Sequence, residues 1–362
     1  MSVSIRWITL LTWAAGSVAA LAQQPPAGMP DHHDLTWYRD ASGAKQTVKT
    51  PADWETRRAE ILKGFEAAAG PLPDRSDLPP FDIQISETVE TDAYTRQTIT
   101  FQSEPGDRTP AYLYVPKGIP AGERRAGVVA LHPTGAQGKG IVDGQGPRPN
   151  RAYAKELAER GFVVIAPDYL SFGDYATYDF AADRYTSGTM KGIWNHMRCV
   201  DLLQSRSDVD PERIGAIGHS LGGHNAIFLG VFDTRVKVVV SSCGWTPMHD
   251  YYGGKLDGWT SDRYIPAIRT EYGLDPNRVP FDYYGLLGAL APRAFFSNSP
   301  IHDSNFDYRG VEKAAPKVRR VYELFGVPDL MRITYPDSEH DFVTEVREES
   351  YRFLETHLGM TK

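Results

Sequence analysis

Two hydrophobic rhythms divide the chain. Phe81 to Glu90, Tyr94 to Gln102 and Ala111 to Val115 alternate apolar and polar residues between turn residues, the pattern of antiparallel strands with one covered face. Further on, Gly127 to Leu131, Phe162 to Ala166, Arg213 to Ile217, Val236 to Val240, Ala294 to Ser297 and Met331 to Tyr335 are short, nearly continuous apolar runs. Runs of that kind suit parallel strands covered on both faces. Between them fall helical patterns at Ala152 to Arg160, Met190 to Ser205, Val311 to Phe325 and Val343 to His357. Earlier, Thr50 is placed to cap a helix that takes Pro51 in its first turn and stops at Gly70-Pro71. Strands alternating with helices predict an α/β fold with a mostly parallel central sheet, helices on both faces and antiparallel strands at its N-terminal side.

Two stretches break the rhythm. Pro133 to Asn150 is glycine-rich and leaves a strand end, and Gly244 to Leu290 carries Trp245, Tyr251, Tyr252, Trp259, Tyr264, Tyr272, Tyr283 and Tyr284. Insertions at strand C-termini build the binding surfaces of open α/β sheets. Residues 244–290 are therefore expected to form an aromatic-rich loop or lid inserted into one domain spanning 51–362. The aromatic residues either stack on a sugar or aryl group or form the core of the lid.

The N-terminus reads differently. Arg6 precedes an apolar run from Trp7 to Leu21, and Ala20-Leu21-Ala22 forms a small-residue cleavage site. Residues 1–22 are thus expected to be a signal peptide, too short and too interrupted by Thr9, Thr12 and Ser17 for the about 20 apolar residues of a membrane span. Export to the periplasm or the medium follows from that expectation. Residues 23–50 are polar and read as a linker or as an arm lying on the domain, with a His/Asp cluster at Asp31 to Asp34. With 46 acidic against 39 basic residues the net charge is −7, which argues against a nucleic-acid partner. Cys199 and Cys243 make no disulfide framework: they are either one bridge or two core thiols.

The chemistry centres on Gly218-His219-Ser220-Leu221-Gly222, between a strand pattern and the apolar helix pattern from Gly223 to Leu229. A G-x-S-x-G run in that setting is a nucleophile elbow, whose tight turn leaves no room for side chains at the glycines. A serine hydroxyl needs a base near neutral pKa and a carboxylate to orient it. Asp303 and His340 follow successive strands at the same sheet edge, in the order Ser, Asp, His. Asp250 and Asp257 are the alternative acids. Glu339 and Asp341, beside His340, read as solvated loop charges, and His302 and His357 read as structural and surface residues. An oxyanion would be held by the backbone N–H groups of Leu221 and Thr134, since Pro133 has none. His132, His219, Trp245, Tyr251 and Trp259 are candidates to contact substrate, and His224, on the other side of the elbow, suits either contact or packing. The Gly135 to Gly140 stretch lacks the spacing, and the Ser or Thr after Lys139, of a phosphate loop.

The elbow, Leu131-His132-Pro133-Thr134, Ala166-Pro167-Asp168, His302 to Phe306 and Glu339 to Phe342 together resemble the α/β-hydrolase superfamily. Within it the likeness is to dienelactone-hydrolase-like and acetyl xylan esterase-like bacterial enzymes, over about residues 50 to 359. The resemblance implies a serine carboxylesterase that needs no cofactor or metal, with an ester of a small molecule or polysaccharide as its substrate. Dienelactone hydrolases use cysteine as nucleophile; Ser220 stands here, which favours ordinary esters over lactones. The rival expectations are a prolyl-oligopeptidase-like serine peptidase, for whose propeller too few residues precede the domain, and a binding protein on a hydrolase scaffold.

Overall fold

The computed structural model describes residues 31–360, so the expected signal segment 1–22 and residues 23–30 of the arm lie outside the described residues. The strands are β1 (Trp37–Arg39), β2 (Lys45–Thr47), β3 (Gln84–Glu90), β4 (Tyr94–Glu104), β5 (Asp107–Pro116), β6 (Arg125–Leu131), β7 (Val163–Pro167), β8 (Val209–His219), β9 (Val236–Ser242), β10 (Ala294–Asn298) and β11 (Met331–Thr334). The helices are α1 (Pro51–Ala69), α2 (Tyr153–Glu159), α3 (Gly188–Ser205), α4 (Leu221–Phe232), α5 (Ala267–Thr270), α6 (Tyr283–Gly288), α7 (Tyr308–Leu324) and α8 (Thr344–His357).

Strands β3 to β11 form one nine-stranded sheet in the order β11-β10-β9-β8-β6-β7-β5-β4-β3. β7 and β6 pair in parallel, as do all neighbours from β6 to β11, while β3 and β5 each run antiparallel to β4, which lies between them, and β5 is antiparallel to β7. Side chains of the central strands alternate between two cores. Val129, Ala216 and Val239 enter the one that α1, α3, α4, α6 and α7 help to build. Val128, Ile217 and Val240 enter the one beneath α2 and α8. Burial on both faces is why these strands read as continuous apolar runs.

The arm packs on the domain. β1 and β2 form a small antiparallel hairpin that the sequence pattern does not reveal, because all three residues of β2 are exposed and neither strand extends beyond three residues. Leu35 and Trp37 anchor it. Behind it, α1 opens with a reciprocal cap. The Thr50 side chain accepts from the Asp53 N–H, and the Asp53 carboxylate accepts from the Thr50 N–H. Trp54, Ile61 and Phe65 are its buried stripe.

The direction of strand addition reverses at β6, which is followed in sequence by β7 on one side and β8 on the other. The crevice beyond the C-terminal ends of the strands at such a reversal is where open α/β sheets bind ligands.

Candidate active site

Ser220 stands at that reversal, between β8 and α4, with φ 55° and ψ −117°. The left-handed backbone is strained for a serine, and the chain around it leaves no slack. A Cβ on Gly218 would come within 2.1 Å of the Gly222 carbonyl oxygen, and one on Gly222 within 1.9 Å of that of Leu131. The Ser220 N–H donates to the Ser242 carbonyl at 2.8 Å, tying the turn to β9. The side chain is thereby pushed out of the sheet, and the first N–H groups of α4, which have no acceptor within the helix, lie beside it.

Loops after β10 and β11 bring the other two residues to it. His340 Nε2 lies 2.9 Å from Ser220 Oγ, and His340 Nδ1 lies 2.8 Å from Asp303 Oδ2. The Asp303 carboxylate is wholly shielded from solvent. Its Oδ1 accepts from the backbone N–H groups of Asn305 and Phe306 at 2.8 and 3.1 Å. Those two bonds fix the carboxylate, and the Phe306 ring stacks on His340 at 6.0 Å. Of the alternative acids, Asp250 pairs with Lys313 and Asp257 with Arg269.

The loop carrying His340 is tied down from behind. Asp341 pairs with the buried Arg151, and its second oxygen accepts from Asn150 at 2.9 Å, so the reading of Asp341 as a solvated charge is corrected: a cation 190 residues away neutralises it. Arg151 also donates to the His340 carbonyl at 3.2 Å, and Asn298 to that of Asp341 at 2.8 Å. Cys243 Sγ donates to the same Asp341 carbonyl at 3.4 Å. Burial and the nearby Asp303 carboxylate push the Cys243 thiol well above its ordinary value. Cys199 and Cys243 are both buried and unbridged.

A cavity of about 90 Å³ opens beside Ser220, walled by Thr134, Leu221, His224, Tyr251 and Trp259, with Tyr264, Asn305 and Phe306 closing it. Thr134 and Leu221 therefore face the same space as the serine hydroxyl. Three other substrate-contact candidates are elsewhere. His132 is buried, with Nδ1 2.7 Å from the Pro133 carbonyl and Nε2 accepting the Tyr169 N–H. His219 is buried with Nδ1 2.9 Å from Ser242 Oγ, and burial holds its ring neutral. Trp245 is a core residue whose Nε1 donates to Ser297 Oγ at 2.8 Å. His132 and Trp245 spend their side-chain polar atoms inside the protein, which corrects the expectation that they meet substrate, and His219 commits its Nδ1 there. Tyr264, Asn305 and Phe306 were not singled out as contacts; the first belongs to the aromatic insertion and the others to the His302–Phe306 motif.

Near the arm, His33, His249 and Asp282 bring their ligand atoms within 4.8 Å of one another. Lys139, in the rejected phosphate-loop stretch, is buried on Asp168. Among the described residues no helix is long and apolar enough to cross a membrane.

A family model described as "Alpha/beta hydrolase family" matches residues 145–355, more than half of the chain and all of the elbow. The chain belongs to the alpha/beta hydrolase family. YtaP of Bacillus subtilis (strain 168) is 29% identical over 312 residues, 83% of this chain and 100% of its own length. A carbohydrate esterase, MZ0003, of an unknown prokaryotic organism is 24% identical over 38% of this chain, and the match spans 33% of that protein. A glucuronoyl esterase from Solibacter usitatus shares the fold, with a TM-score of 0.67 at 20% identity over 91% of this chain and 99% of that one.

Proposed function

We propose that this hydrolase is an exported serine carboxylesterase acting on carbohydrate-linked esters. The observation that carries the reading is the hydrogen-bonded line from Ser220 Oγ through His340 to Asp303, at 2.9 and 2.8 Å. In this reading His340 Nε2 takes the proton as Ser220 Oγ attacks the ester carbonyl, and the shielded Asp303 carboxylate stabilises the imidazolium. The Leu221 and Thr134 N–H groups hold the oxyanion. Collapse of the tetrahedral intermediate breaks the bond to the alcohol, which leaves with the proton from His340. Water, deprotonated by the same nitrogen, then cleaves the acyl-serine and releases the acid.

The carbohydrate part of the reading draws on the carbohydrate and glucuronoyl esterases among the similar proteins and on the aromatic residues around the cavity. Export draws on the pattern of residues 1–22. The test is hydrolysis of p-nitrophenyl acetate, acetylated xylan and a methyl glucuronate ester by the protein and by Ser220→Ala. Turnover of the aryl ester and of either carbohydrate ester, lost in the variant, is expected. A folded protein inert on all three would overturn the reading, and turnover that survives in the variant would remove Ser220 from it.

A further inference from the structure

The His/Asp cluster of the arm meets two distant segments of the chain. One nitrogen of His33, one of His249 near the start of the aromatic insertion and one oxygen of Asp282 near its end lie within 4.8 Å of one another. The arm is seated there by its neighbour, since His32 Nε2 donates to the Val279 carbonyl at 2.9 Å. The His33 ring stands 5.4 Å from that of His249 and 4.8 Å from that of Tyr284. None of the three belongs to the line from Ser220 to Asp303.

The two inner groups are prepared in a way that packing alone does not require. Asp282 is 2% exposed, and its Oδ1 accepts from the Met248 and Tyr283 N–H groups at 3.1 and 2.6 Å. Its Oδ2 has only a longer contact with the Met248 N–H, at 3.4 Å. Among the described residues no lysine or arginine pairs with it; the nearby Lys313 spends its charge on both oxygens of Asp250, at 2.9 and 2.7 Å. A carboxylate buried without a cation is costly. His249 is held in one tautomer. Asn277 Nδ2 donates to Asp275 Oδ1 at 2.9 Å, which turns the amide oxygen toward His249 Nε2, 3.0 Å away. An amide oxygen only accepts, so Nε2 carries the proton and Nδ1 keeps a bare lone pair. That nitrogen is buried and has no partner in the protein. An imidazole whose N–H is spent on a fixed oxygen is the arrangement that orients metal-bound histidines.

The spacing suits an ion. Three atoms at most 4.8 Å apart share a point within about 2.8 Å of each, so bonds of about 2.0–2.2 Å to zinc ask each group to move by less than about 1 Å. Two imidazoles and one carboxylate suit zinc and its neighbours among the transition metals, and offer too few oxygens for calcium or magnesium. An ion at that point also supplies the positive charge that Asp282 lacks.

We propose that His33, His249 and Asp282 bind a divalent transition-metal ion of the zinc class, which fastens the arm to the aromatic insertion. Tyr251, two residues beyond His249, walls the cavity beside Ser220, so the clamp lies behind that wall. The chemistry at Ser220 does not use the ion, and the proposal stands or falls independently of the esterase reading.

The test uses the untagged protein, stripped with a chelator and dialysed, then titrated with zinc against a chromophoric competitor. One zinc per chain is expected, with a dissociation constant below about 10 µM, and excess calcium should not displace it. His33→Ala, His249→Ala and Asp282→Asn should each weaken binding more than about 100-fold, and Asn277→Ala, which frees the His249 tautomer, about 10-fold. Asp282→Asn keeps an acceptor for the Met248 and Tyr283 N–H groups, and His33 lies on the arm, so neither substitution removes the fold's own bonds. His357→Ala, on α8, should leave affinity unchanged. Zinc should also slow hydrogen exchange in β1 and β2 of the wild type but not of His33→Ala. No zinc bound at 100 times the expected constant, or equal affinity in the wild type and the three ligand variants, would overturn the site. Binding that survives in His33→Ala, with exchange in the arm unmoved by zinc, would overturn the clamp.

Discussion

The two sides of Ser220 differ in how their polar groups are used. On the His340 side, Asp303 accepts from two backbone N–H groups and from His340, and Asp341 is paired with Arg151 and Asn150. On the α4 side, the rings of Trp259, Phe228 and Tyr264 lie 4.7, 5.5 and 6.0 Å from that of His224, yet its buried nitrogens and the Trp259 N–H have no partner in the protein. The first arrangement holds an imidazole in one orientation before substrate arrives, which is what proton transfer at a fixed atom needs. The second leaves polar atoms buried and unpaired, at a cost in stability.

The largest effects are expected on the paired side. Ser220→Ala should lower kcat about 10⁶-fold with the fold intact by circular dichroism, the scale seen when a nucleophile acting with its base is removed. Asp303→Asn should lower kcat about 10⁴-fold, because an amide that donates to His340 stabilises the wrong tautomer. Losses within 10-fold for either would show that the line of hydrogen bonds is ornamental. The elbow joins the two sides. Gly222→Ala should cost about 3 kcal/mol or more in urea unfolding, since its Cβ would meet the Leu131 backbone oxygen at 1.9 Å and neither strand nor helix can move aside. An unperturbed unfolding midpoint would mean the turn is looser than described.

A smaller effect sharpens the unpaired side. His32, His196 and His224 are held down to about 4, 3 and 3 by burial, against an ordinary 6.5. Below pH 6.5 the unfolded chain takes up protons at these positions that the folded chain refuses, so stability falls as pH drops from 6.5 toward 3. Asp282 works in the opposite sense in the metal-free protein. Burial raises it from 3.8 to about 7, so its contribution is full below 3.8 and is lost as pH rises to 7. Three histidines outweigh one carboxyl, and the melting temperature is expected to fall from pH 7 to pH 4. His224→Leu should flatten that fall, and a steeper one would contradict its burial as an uncharged ring.

Much of this was legible in the chain. The parallel strands announced themselves because they are covered on both faces, so that Val163 to Ala166 or Val236 to Val240 hardly needs a polar residue. Ser220, Asp303 and His340 could be singled out because each follows a strand and the three share one edge of the sheet. What could not be read was the direction in which a side chain spends its polar atoms. His132, His219 and Trp245 sit at strand ends and look available, yet each is committed to a partner inside the protein, such as Ser242 or Ser297. The Arg151–Asp341 pair joins residues 190 positions apart, a separation over which charge patterning carries no signal. The β1–β2 hairpin escaped because strands so short and exposed have no hydrophobic alternation to betray them.

The central claim is that Ser220 forms the covalent intermediate. The most direct measurement is intact-protein mass spectrometry after treatment with a fluorophosphonate, followed by peptide mapping, on the wild type and on His340→Ala. One adduct per chain on Ser220 is expected in the wild type, with strongly slowed labelling in His340→Ala. Labelling at another residue, or no labelling of an enzyme that turns over esters, would contradict it.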